Sequence, residues 1–295
     1  MGNLFTRWGT WAGKKVLPTY LTFQSASSFT LNVYNTTKNW NGTLYYSTDT
    51  ITWNEWNGTT ALNSVGNKLY LRGTGNTVIA GSSSTDCSWV LTGTDIECVG
   101  NIENLLDWET VALGEHPTMA ERCYQNMFRG CTSLTTAPAL PATTLATNCY
   151  YFMFRGCTSL TTAPELPATT LETNCYYYMF YGCTSLTTAP ALPATTLATY
   201  CYSYMFNDCT SLTTAPALPA TTLAAYCYSY MFYNCSAFKV SATQTGSYLH
   251  AWRIPTSGTG TTATSWNGSM LTGTGGTFTG APVINTTYYV ENPPV

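Results

Sequence analysis

Residues 149–174 have the sequence CYYFMFRGCTSLTTAPELPATTLETN, and residues 175–200 have the sequence CYYYMFYGCTSLTTAPALPATTLATY. The two stretches are identical at 21 of 26 positions. Met-Phe recurs with the same 26-residue spacing, at 127, 153, 179, 205 and 231. Self-similarity at such a period indicates a stacked array, in which each unit buries its apolar side chains against its neighbours.

Four full units run from Cys123 to Tyr226, and a partial fifth continues to about Val240. The stretch from Cys149 to Gly156 is aromatic and ends in Gly, which predicts a short helical turn. The Thr- and Pro-rich remainder of each unit predicts short extended segments and corners. We expect equivalent leucines to form one continuous buried column, and the Met-Phe pairs to form others: Leu134, Leu160, Leu186 and Leu212.

The run Met-Phe-x-Gly-Cys-Thr-Ser-Leu-Thr-Thr-Ala-Pro-x-Leu-Pro resembles the leucine-rich repeats of BspA-like proteins, whose units contain Phe-x-Gly-Cys-x-Ser-Leu. The resemblance covers residues 119–240. It implies a right-handed solenoid, with parallel strands on one side and short helical turns on the other. In that family such arrays occur in bacterial surface adhesins and in bacteriophage proteins, so the resemblance implies binding rather than catalysis.

The segment before the array predicts an antiparallel β-sandwich, because short strand patterns alternate there with turn signals such as Asn41-Gly42 and Asn57-Gly58. Residues 44–53 resemble the immunoglobulin-like module that often precedes these repeats. Residues 104–108 predict a short helix that caps the first repeat. The predicted strands are Tyr20 to Phe23, Phe29 to Tyr34, Thr43 to Ser47, Ile51 to Trp56, Lys68 to Arg72, Ser88 to Leu91 and Asp95 to Val99.

The predicted fold class is mainly β with short helical turns, and the chain divides into five parts. We predict an attachment segment at 1–18, the immunoglobulin-like sandwich at 19–100, an N-terminal cap of the solenoid at 101–122, the leucine-rich-repeat solenoid at 123–240, and a Gly- and Thr-rich β cap at 241–295. A solenoid needs a different, polar end to stop further stacking. A trimerising tip is the alternative for the last part.

The composition disfavours several functional classes. Only 8% of the residues are charged and the net charge is -3, which argues against nucleic-acid binding. No apolar stretch approaches the ~18 residues that would predict a membrane span, and the first 20 residues lack the pattern of an export signal. With two histidines and no recognisable catalytic set, we expect no enzymatic activity, no cofactor and no metal.

Ten of the 12 cysteines follow the 26-residue period on two ladders. Equivalent positions on helical faces would lie ~8 to 10 Å apart, beyond the ~7 Å limit for a disulfide. We therefore expect free buried thiols, which suit a reducing cytosol. Eight of the 14 acidic residues lie between Asp86 and Glu121, where we expect a solvated cap rather than a calcium site.

Three columns vary among otherwise near-identical repeats, and a close-packed column does not tolerate such variation. We therefore expect these columns to face solvent, where they form either a neutral solvated face or a ligand-binding face that stacks on sugar rings and hydrogen-bonds their hydroxyls. The invariant Tyr150 and its equivalents are interpreted as packing residues. The variable columns are Arg129, Arg155, Tyr181, Asn207, Tyr233; Asn148, Asn174, Tyr200, Tyr226; and Tyr151, Tyr177, Ser203, Ser229.

The first 18 residues contain two tryptophans and three cations but no acid. These residues either pack back on the sandwich or anchor the chain in a larger assembly, with the aromatic side chains supplying most of the binding energy. The attachment candidates are Arg7, Trp8, Trp11, Lys14 and Lys15.

The resemblance and the composition together favour a non-catalytic virion structural protein: a head or tail fibre, a spike or a capsid decoration on a bacteriophage. Its expected partners are other virion proteins through the N-terminal segment and a host surface glycan or protein, and the resemblance makes a homotrimer an expectation. The expected location is the virion surface, after synthesis in the host cytoplasm. The alternative is a bacterial cell-surface adhesin of the same family.

Overall fold

The computed structural model describes residues 20–34, 38–80, 88–213, 216–220 and 224–235, and the backbone of a two-stranded antiparallel pair formed by Trp252–Arg253 and Tyr289–Val290. The described part is mainly β, with open sheets and one short helix. The predicted attachment segment and most of the predicted C-terminal cap lie outside the described residues. Their predicted roles remain predictions, as do the domain boundaries.

All seven predicted strands before the repeats are present, and an eighth, of two residues, was not predicted. The strands are β1 (Leu21–Gln24), β2 (Thr30–Val33), β3 (Thr43–Ser47), β4 (Asn54–Trp56), β5 (Leu62–Asn63), β6 (Lys68–Thr74), β7 (Trp89–Thr92) and β8 (Ile96–Val99). Five of them, in the order β4-β3-β6-β1-β8, belong to a six-stranded sheet whose last strand comes from the repeats, and three form a second sheet in the order β5-β2-β7. All the pairs among these eight strands are antiparallel.

The two sheets share an apolar core. Side chains alternate between the faces of a strand, and in β1 and β6 alternate residues are buried. The ring of Phe23 in β1 lies 6.4 Å from that of Trp89 in β7, and Trp56 in β4 lies 5.6 Å from Trp89, measured between ring centroids. These aromatic contacts connect the first sheet to the second.

The predicted helix is present as α1 (Asn104–Ala112), and it extends four residues beyond the predicted end. Asp107 has extended dihedrals (φ -153, ψ 101) and interrupts the helix, and its carboxylate accepts a hydrogen bond from the Thr110 amide at 3.0 Å. The helix packs on β6. A Cβ at Gly73 of β6 would lie 1.8 Å from the Leu105 carbonyl oxygen, so only glycine permits this approach.

The two-sheet body continues directly into the repeats. Strand β8 pairs in parallel with β9 (Leu134–Thr136), and Ile96 is the partner of Leu134. The Trp89 amide donates to the Met127 carbonyl at 2.7 Å, and the Tyr124 amide donates to the Ile79 carbonyl at 2.7 Å. Strands β7 and β8, residues 77–79 and residues 100–102 just before α1 therefore cover the first repeat and satisfy its exposed backbone groups.

Successive repeats contact one another in register. Parallel bridges link Thr136 to Thr162 and Thr162 to Thr188. The predicted leucine column is confirmed, because Leu134, Leu160, Leu186 and Leu212 are fully buried. The phenylalanines of the Met-Phe pairs stack face to face, with centroids 5.4–5.6 Å apart, in the order Phe128, Phe154, Phe180, Phe206 and Phe232.

The predicted helical turns are wrong. Residues 147–156 and their equivalents form runs of consecutive turns, which we call the turn segments: 121–130, 147–156, 173–182, 199–208 and 225–234. In the second of them, the amides of Asn148, Tyr150 and Phe152 donate to carbonyls of the next repeat at 3.0 Å, whereas the intervening amides donate to the carbonyl three residues back in their own repeat unit or its preceding residues. Left-handed dihedrals recur inside each segment, and these end a right-handed helix.

The cysteine ladders are confirmed as free and buried, although the expected spacing was wrong. Because backbone hydrogen bonds join neighbouring turn segments, the repeats approach to about the ~4.8 Å of paired strands. Distance alone therefore does not prevent disulfides. Instead the Cys157 thiol donates to the Phe128 carbonyl of the preceding repeat at 3.0 Å. Burial raises the pKa of Cys131 and Cys149 to about 12. Cys98 is also a free buried thiol.

Candidate functional site

The turn segments place side chains in an unusual way, because every fourth residue has a positive φ. In the second segment these are Asn148 (φ 59), Phe152 (φ 58) and Gly156 (φ 74). Each is the third residue of a hydrogen-bonded turn, the position where type II turns need a positive φ and favour Gly or Asn. Asn148 and Gly156 fit that requirement, but Phe152 does not.

Aromatic residues occupy the Phe152 position in every described repeat that follows. Tyr178, Tyr204 and Tyr230 have φ of 55, 55 and 52. A left-handed conformation costs a residue with a Cβ roughly 1–2 kcal/mol, and a bulky residue there is an outlier. Such strain persists where the surroundings impose it, and it clusters at functional sites. These rings therefore mark the turn segments as a candidate site.

The strained aromatic residues form a ladder at the surface. Ring centroids are 4.9 Å apart between Phe152 and Tyr178, 4.4 Å between Tyr178 and Tyr204, and 4.9 Å between Tyr204 and Tyr230. Tyr230 is 36% exposed and the other three are partly buried. The buried Tyr150 column stacks separately inside the repeats, as predicted.

Ring contacts join this ladder to the predicted variable columns. Tyr177 lies 4.5 Å from Tyr178, 5.1 Å from Tyr151 and 5.8 Å from Tyr200. We call the resulting surface the aromatic face. It comprises Tyr151, Phe152, Tyr177, Tyr178, Tyr181, Tyr200, Tyr204, Tyr226, Tyr230 and Tyr233, with Arg129 and Arg155 at its N-terminal end.

The two arginines of the aromatic face lie against its rings. The guanidinium carbon of Arg155 is 5.0 Å from the ring centroids of both Phe152 and Tyr181, and that of Arg129 is 6.0 Å from the Phe152 centroid. Such cation–π contacts stabilise a guanidinium by about 0.5–2 kcal/mol. They also hold Arg155 in one orientation.

Hydroxyl groups of the aromatic face interact with one another. The hydroxyls of Tyr177 and Tyr204 hydrogen-bond to that of Tyr178, and the Tyr181 hydroxyl hydrogen-bonds to Asp208. Burial, with the neighbouring tyrosines, raises the pKa of Tyr204 to about 12. All these phenols are therefore protonated at neutral pH and can donate hydrogen bonds.

The structure brings most of the predicted site residues together on this face. Arg129, Arg155, Tyr181, Tyr233, Tyr151, Tyr177 and Tyr200 are partly exposed, and Tyr226 is 50% exposed. The attachment candidates Arg7, Trp8, Trp11, Lys14 and Lys15 lie outside the described residues.

Three predicted solvent positions are buried instead. Asn207 is 5% exposed, because it is the short member of a column between Tyr181 and Tyr233 of the neighbouring repeats. Ser203 and Ser229 are also buried, since a serine is short enough to lie below the tyrosine rings, and the Ser203 hydroxyl donates to the Ser229 carbonyl at 3.1 Å. The variation in these columns therefore reflects size as well as exposure.

Rings of the aromatic face stack on one another, both in the ladder and in the predicted column of Tyr200 and Tyr226, whose ring planes are 7° apart. In the ladder the ring planes of Tyr178 and Tyr204 are 6° apart, so each ring face is covered by its neighbour in the next repeat. Ring edges and hydroxyl groups remain for a ligand. The arrangement can donate and accept hydrogen bonds along a row and bind an anion at its arginine end.

Sequence reasoning missed the strained ladder of Phe152, Tyr178, Tyr204 and Tyr230. Its column, which begins with Asn126 in the first repeat, was not grouped with the variable columns. The available signal was the spacing within a repeat. Phe152 lies four residues after Asn148 and four before Gly156, and Asn and Gly are residue types that tolerate a positive φ.

The acidic cluster near the junction is not wholly solvated as expected. The side chain of Glu103 is 1% exposed and pairs with His116 at 2.8 Å. Within the described ranges, no group of three or more His, Cys, Asp or Glu side chains is arranged to hold a metal ion. The described residues also contain no helix with the length and apolar character needed to cross a membrane.

Comparison with known proteins supports the interpretation of the repeats. Residues 115–239 match the family model described as "BspA type Leucine rich repeat region", in six copies. The match supports a BspA-like leucine-rich-repeat protein. No curated protein and no solved structure matches the chain.

Proposed function

We propose that the chain is a non-catalytic structural protein of a bacteriophage particle, such as a head or tail fibre, a spike or a capsid decoration. In this role it presents the aromatic face to glycans or proteins on the host surface. BspA-type repeats suggest a repeat protein that could mediate adhesion. The virion context remains our proposal.

The observation that most supports recognition is the strained, partly exposed aromatic ladder. Gly or Asn at the positions of Phe152, Tyr178, Tyr204 and Tyr230 would remove roughly 1–2 kcal/mol of backbone strain per repeat. Stacking of each aromatic pair contributes about 0.5–1.5 kcal/mol beyond the apolar area that the rings bury, which offsets this strain, and the partly exposed ring edges and hydroxyls are left for a ligand. Tyrosine is enriched at binding surfaces because it offers apolar area and a hydroxyl on a stiff side chain.

The proposed architecture is a right-handed solenoid preceded by an immunoglobulin-like sandwich. In-register parallel bridges at a 26-residue spacing support the first, and two facing antiparallel sheets support the second. In the proposed assembly, residues 1–18 bind other virion proteins, and the chain associates as a homotrimer. The aromatic face then points away from the particle.

A non-catalytic role agrees with the chemistry of the described residues. Nucleophilic cysteines need a low pKa and access, whereas burial raises the pKa of the ladder thiols. His116 already pairs with Glu103. The eleven free thiols of the described part also suit a protein made in a reducing cytoplasm.

The second candidate is a bacterial cell-surface adhesin, which the match to BspA-type repeats favours. Mass spectrometry and electron microscopy of purified particles distinguish the two. We expect the chain among the virion proteins, in density that projects from the head or tail. Detection on bacterial surfaces but not in particles would favour the adhesin.

Recognition itself is tested by a glycan array with the full chain. We compare the wild type with a Tyr178→Asn/Tyr204→Asn variant, in which Asn suits the left-handed backbone. A matched control, Thr161→Ala/Thr187→Ala, changes exposed positions of the Thr-rich segments. We expect binding by the wild type and the control, with at least tenfold weaker binding by the face variant.

A further inference from the structure

Arg155 has an unusual setting for the charged end of a side chain. Its guanidinium lies between the ring of Phe152 in its own repeat and the ring of Tyr181 in the next, 5.0 Å from each centroid. Within the part of the chain that the structure describes, the carboxylates that contact basic side chains are Glu103, beside His116, and Glu121, beside Arg122. Arg155 is therefore oriented by rings, with no carboxylate among the described residues neutralising it.

The charge of this guanidinium affects the pKa of three tyrosines of the aromatic face. Burial raises the pKa of Tyr151 and Tyr178, and the charge of Arg155 opposes that rise at both. The hydrogen bond to Asp208 raises the pKa of Tyr181, again against the effect of Arg155. The charge of Arg155 thus opposes the rise in pKa of three tyrosine hydroxyls of the aromatic face. An anion beside Arg155 would find phenol donors near it.

Asp208 is the carboxylate next to the aromatic face, and it interacts with residues other than Arg155. Asp208 occupies the position of Gly156 and Gly182 in a later repeat, where it accepts a hydrogen bond from the Asn234 side chain at 2.8 Å and from the Tyr181 hydroxyl. The face is therefore polarised along its length, with guanidinium groups in the first two repeats and a carboxylate in the fourth. A ligand with one negative group has a preferred direction on it.

A guanidinium presents its N–H groups in a planar fork that matches the two oxygens of a carboxylate. Because the rings of Phe152 and Tyr181 both contact Arg155, its side chain is restricted before a ligand binds, and less side-chain freedom is lost on binding. The neighbouring row of phenol hydroxyls can donate to and accept from uncharged hydroxyl groups. A carboxylated sugar has both kinds of group.

We propose that the aromatic face binds an acidic saccharide, whose carboxylate pairs with Arg155 while its hydroxyls contact the tyrosine row. This inference rests on the proposed function, because it names the ligand class for the same surface. Arg155 is the residue that distinguishes an acidic saccharide from a neutral one.

The test uses the full chain and matched pairs of probes. Oligogalacturonate and sialylated oligosaccharides are each compared with their methyl esters by isothermal titration calorimetry at ~0.15 M ionic strength, where nonspecific charge effects are screened. We expect at least one acid to bind tenfold or more tightly than its ester. Equal binding of acid and ester in both pairs, or binding of neither acid, would overturn the inference.

Three variants assign the effect to Arg155. Arg155→Gln should weaken binding of the acid at least tenfold, to the level of the ester, and Arg155→Lys should be intermediate because it keeps the charge without the fork. The control Arg122→Gln, whose cation pairs with Glu121, should bind as the wild type does. Unchanged binding by Arg155→Gln, with wild-type melting, would contradict the assignment.

Failure of this inference differs from failure of the proposed function. If Tyr178→Asn/Tyr204→Asn abolishes binding to a neutral glycan while acids and esters bind alike, the aromatic face is a recognition surface without acid specificity. If the face variant binds every array glycan as the wild type does, the recognition proposal itself is wrong.

Discussion

The Sγ atom of Cys157 lies 3.0 Å from the carbonyl oxygen of Phe128 in the preceding repeat, and the equivalent contact recurs for Cys183, Cys209 and Cys235 at 3.0–3.1 Å. That carbonyl also accepts the amide of Cys131. The thiol therefore gives a buried carbonyl its second hydrogen bond, and the sulfur atom fills the space between the repeats. This double role accounts for cysteine at this position in every repeat.

Replacing one such thiol should remove both a hydrogen bond and packing contacts, and so lower the stability of the protein. For Cys183→Ala we expect a loss of about 1–2 kcal/mol in the free energy of unfolding, measured by urea denaturation. Cys183→Ser should lose less, because its hydroxyl is still a donor. Cys98→Ala is the control, since that buried thiol makes no such contact among the described residues. Equal losses for Ala and Ser at 183 would show that the donor contributes nothing.

The thiol ladders should make the protein sensitive to alkali. Burial raises the pKa of Cys131 and Cys149 from 9.0 to about 12. The unfolded chain ionises first, so this stability is fully present below pH 9 and is lost as pH rises from 9 towards 12. Urea midpoints measured from pH 7 to 11 should be flat to about pH 9 and then fall. A flat profile up to pH 11 would contradict the buried ladders.

The buried tyrosine column contains hydroxyls that folding does not use. Those of Tyr150, Tyr202 and Tyr228 are buried with no hydrogen-bond partner within the described residues, and an unsatisfied buried polar group costs about 1–3 kcal/mol. We therefore expect Tyr202→Phe to raise the free energy of unfolding by about 1 kcal/mol. In the first repeat Tyr124 donates to the Ile102 carbonyl at 3.3 Å, so Tyr124→Phe should not stabilise. Similar shifts for the two variants would refute this explanation.

The strained ladder should tolerate loss of its rings better than a core position does. In Tyr178→Asn, relief of ~1–2 kcal/mol of backbone strain offsets part of the lost ring contacts and buried area, so we expect a loss of no more than about 2 kcal/mol, measured by thermal melting. Phe180→Ala, at a fully buried stacked ring, should lose about 3–5 kcal/mol. A comparably large loss for Tyr178→Asn would mean that the ladder is needed for folding.

Sequence reasoning succeeded where periodicity alone decides the structure. The 26-residue period places Leu160 and Tyr150 inside without any knowledge of local conformation, and both are buried. It failed at the turn segments because a glycine in the left-handed conformation is typical both of a helix end and of a type II turn, so Gly156 does not distinguish between them. The two structures therefore have the same glycine signal.

The candidate site was predictable only in part, for a related physical reason. Variation between repeats identified Arg155 and Tyr181, but propensity argues against an aromatic residue at a positive φ, so Tyr178 gave no signal by itself. The hydrogen bonds within and between the turn segments impose that conformation, and those between segments appear only when the repeats are assembled.

Adsorption of the full chain to host cells tests the recognition surface most directly. Fluorescently labelled wild type, Tyr178→Asn/Tyr204→Asn and Thr161→Ala/Thr187→Ala are compared at equal concentrations, after melting curves show that all three are folded. The account predicts that the face variant loses adsorption at least tenfold while the threonine control keeps it. Equal adsorption by all three proteins would contradict the claim that the aromatic face binds the host.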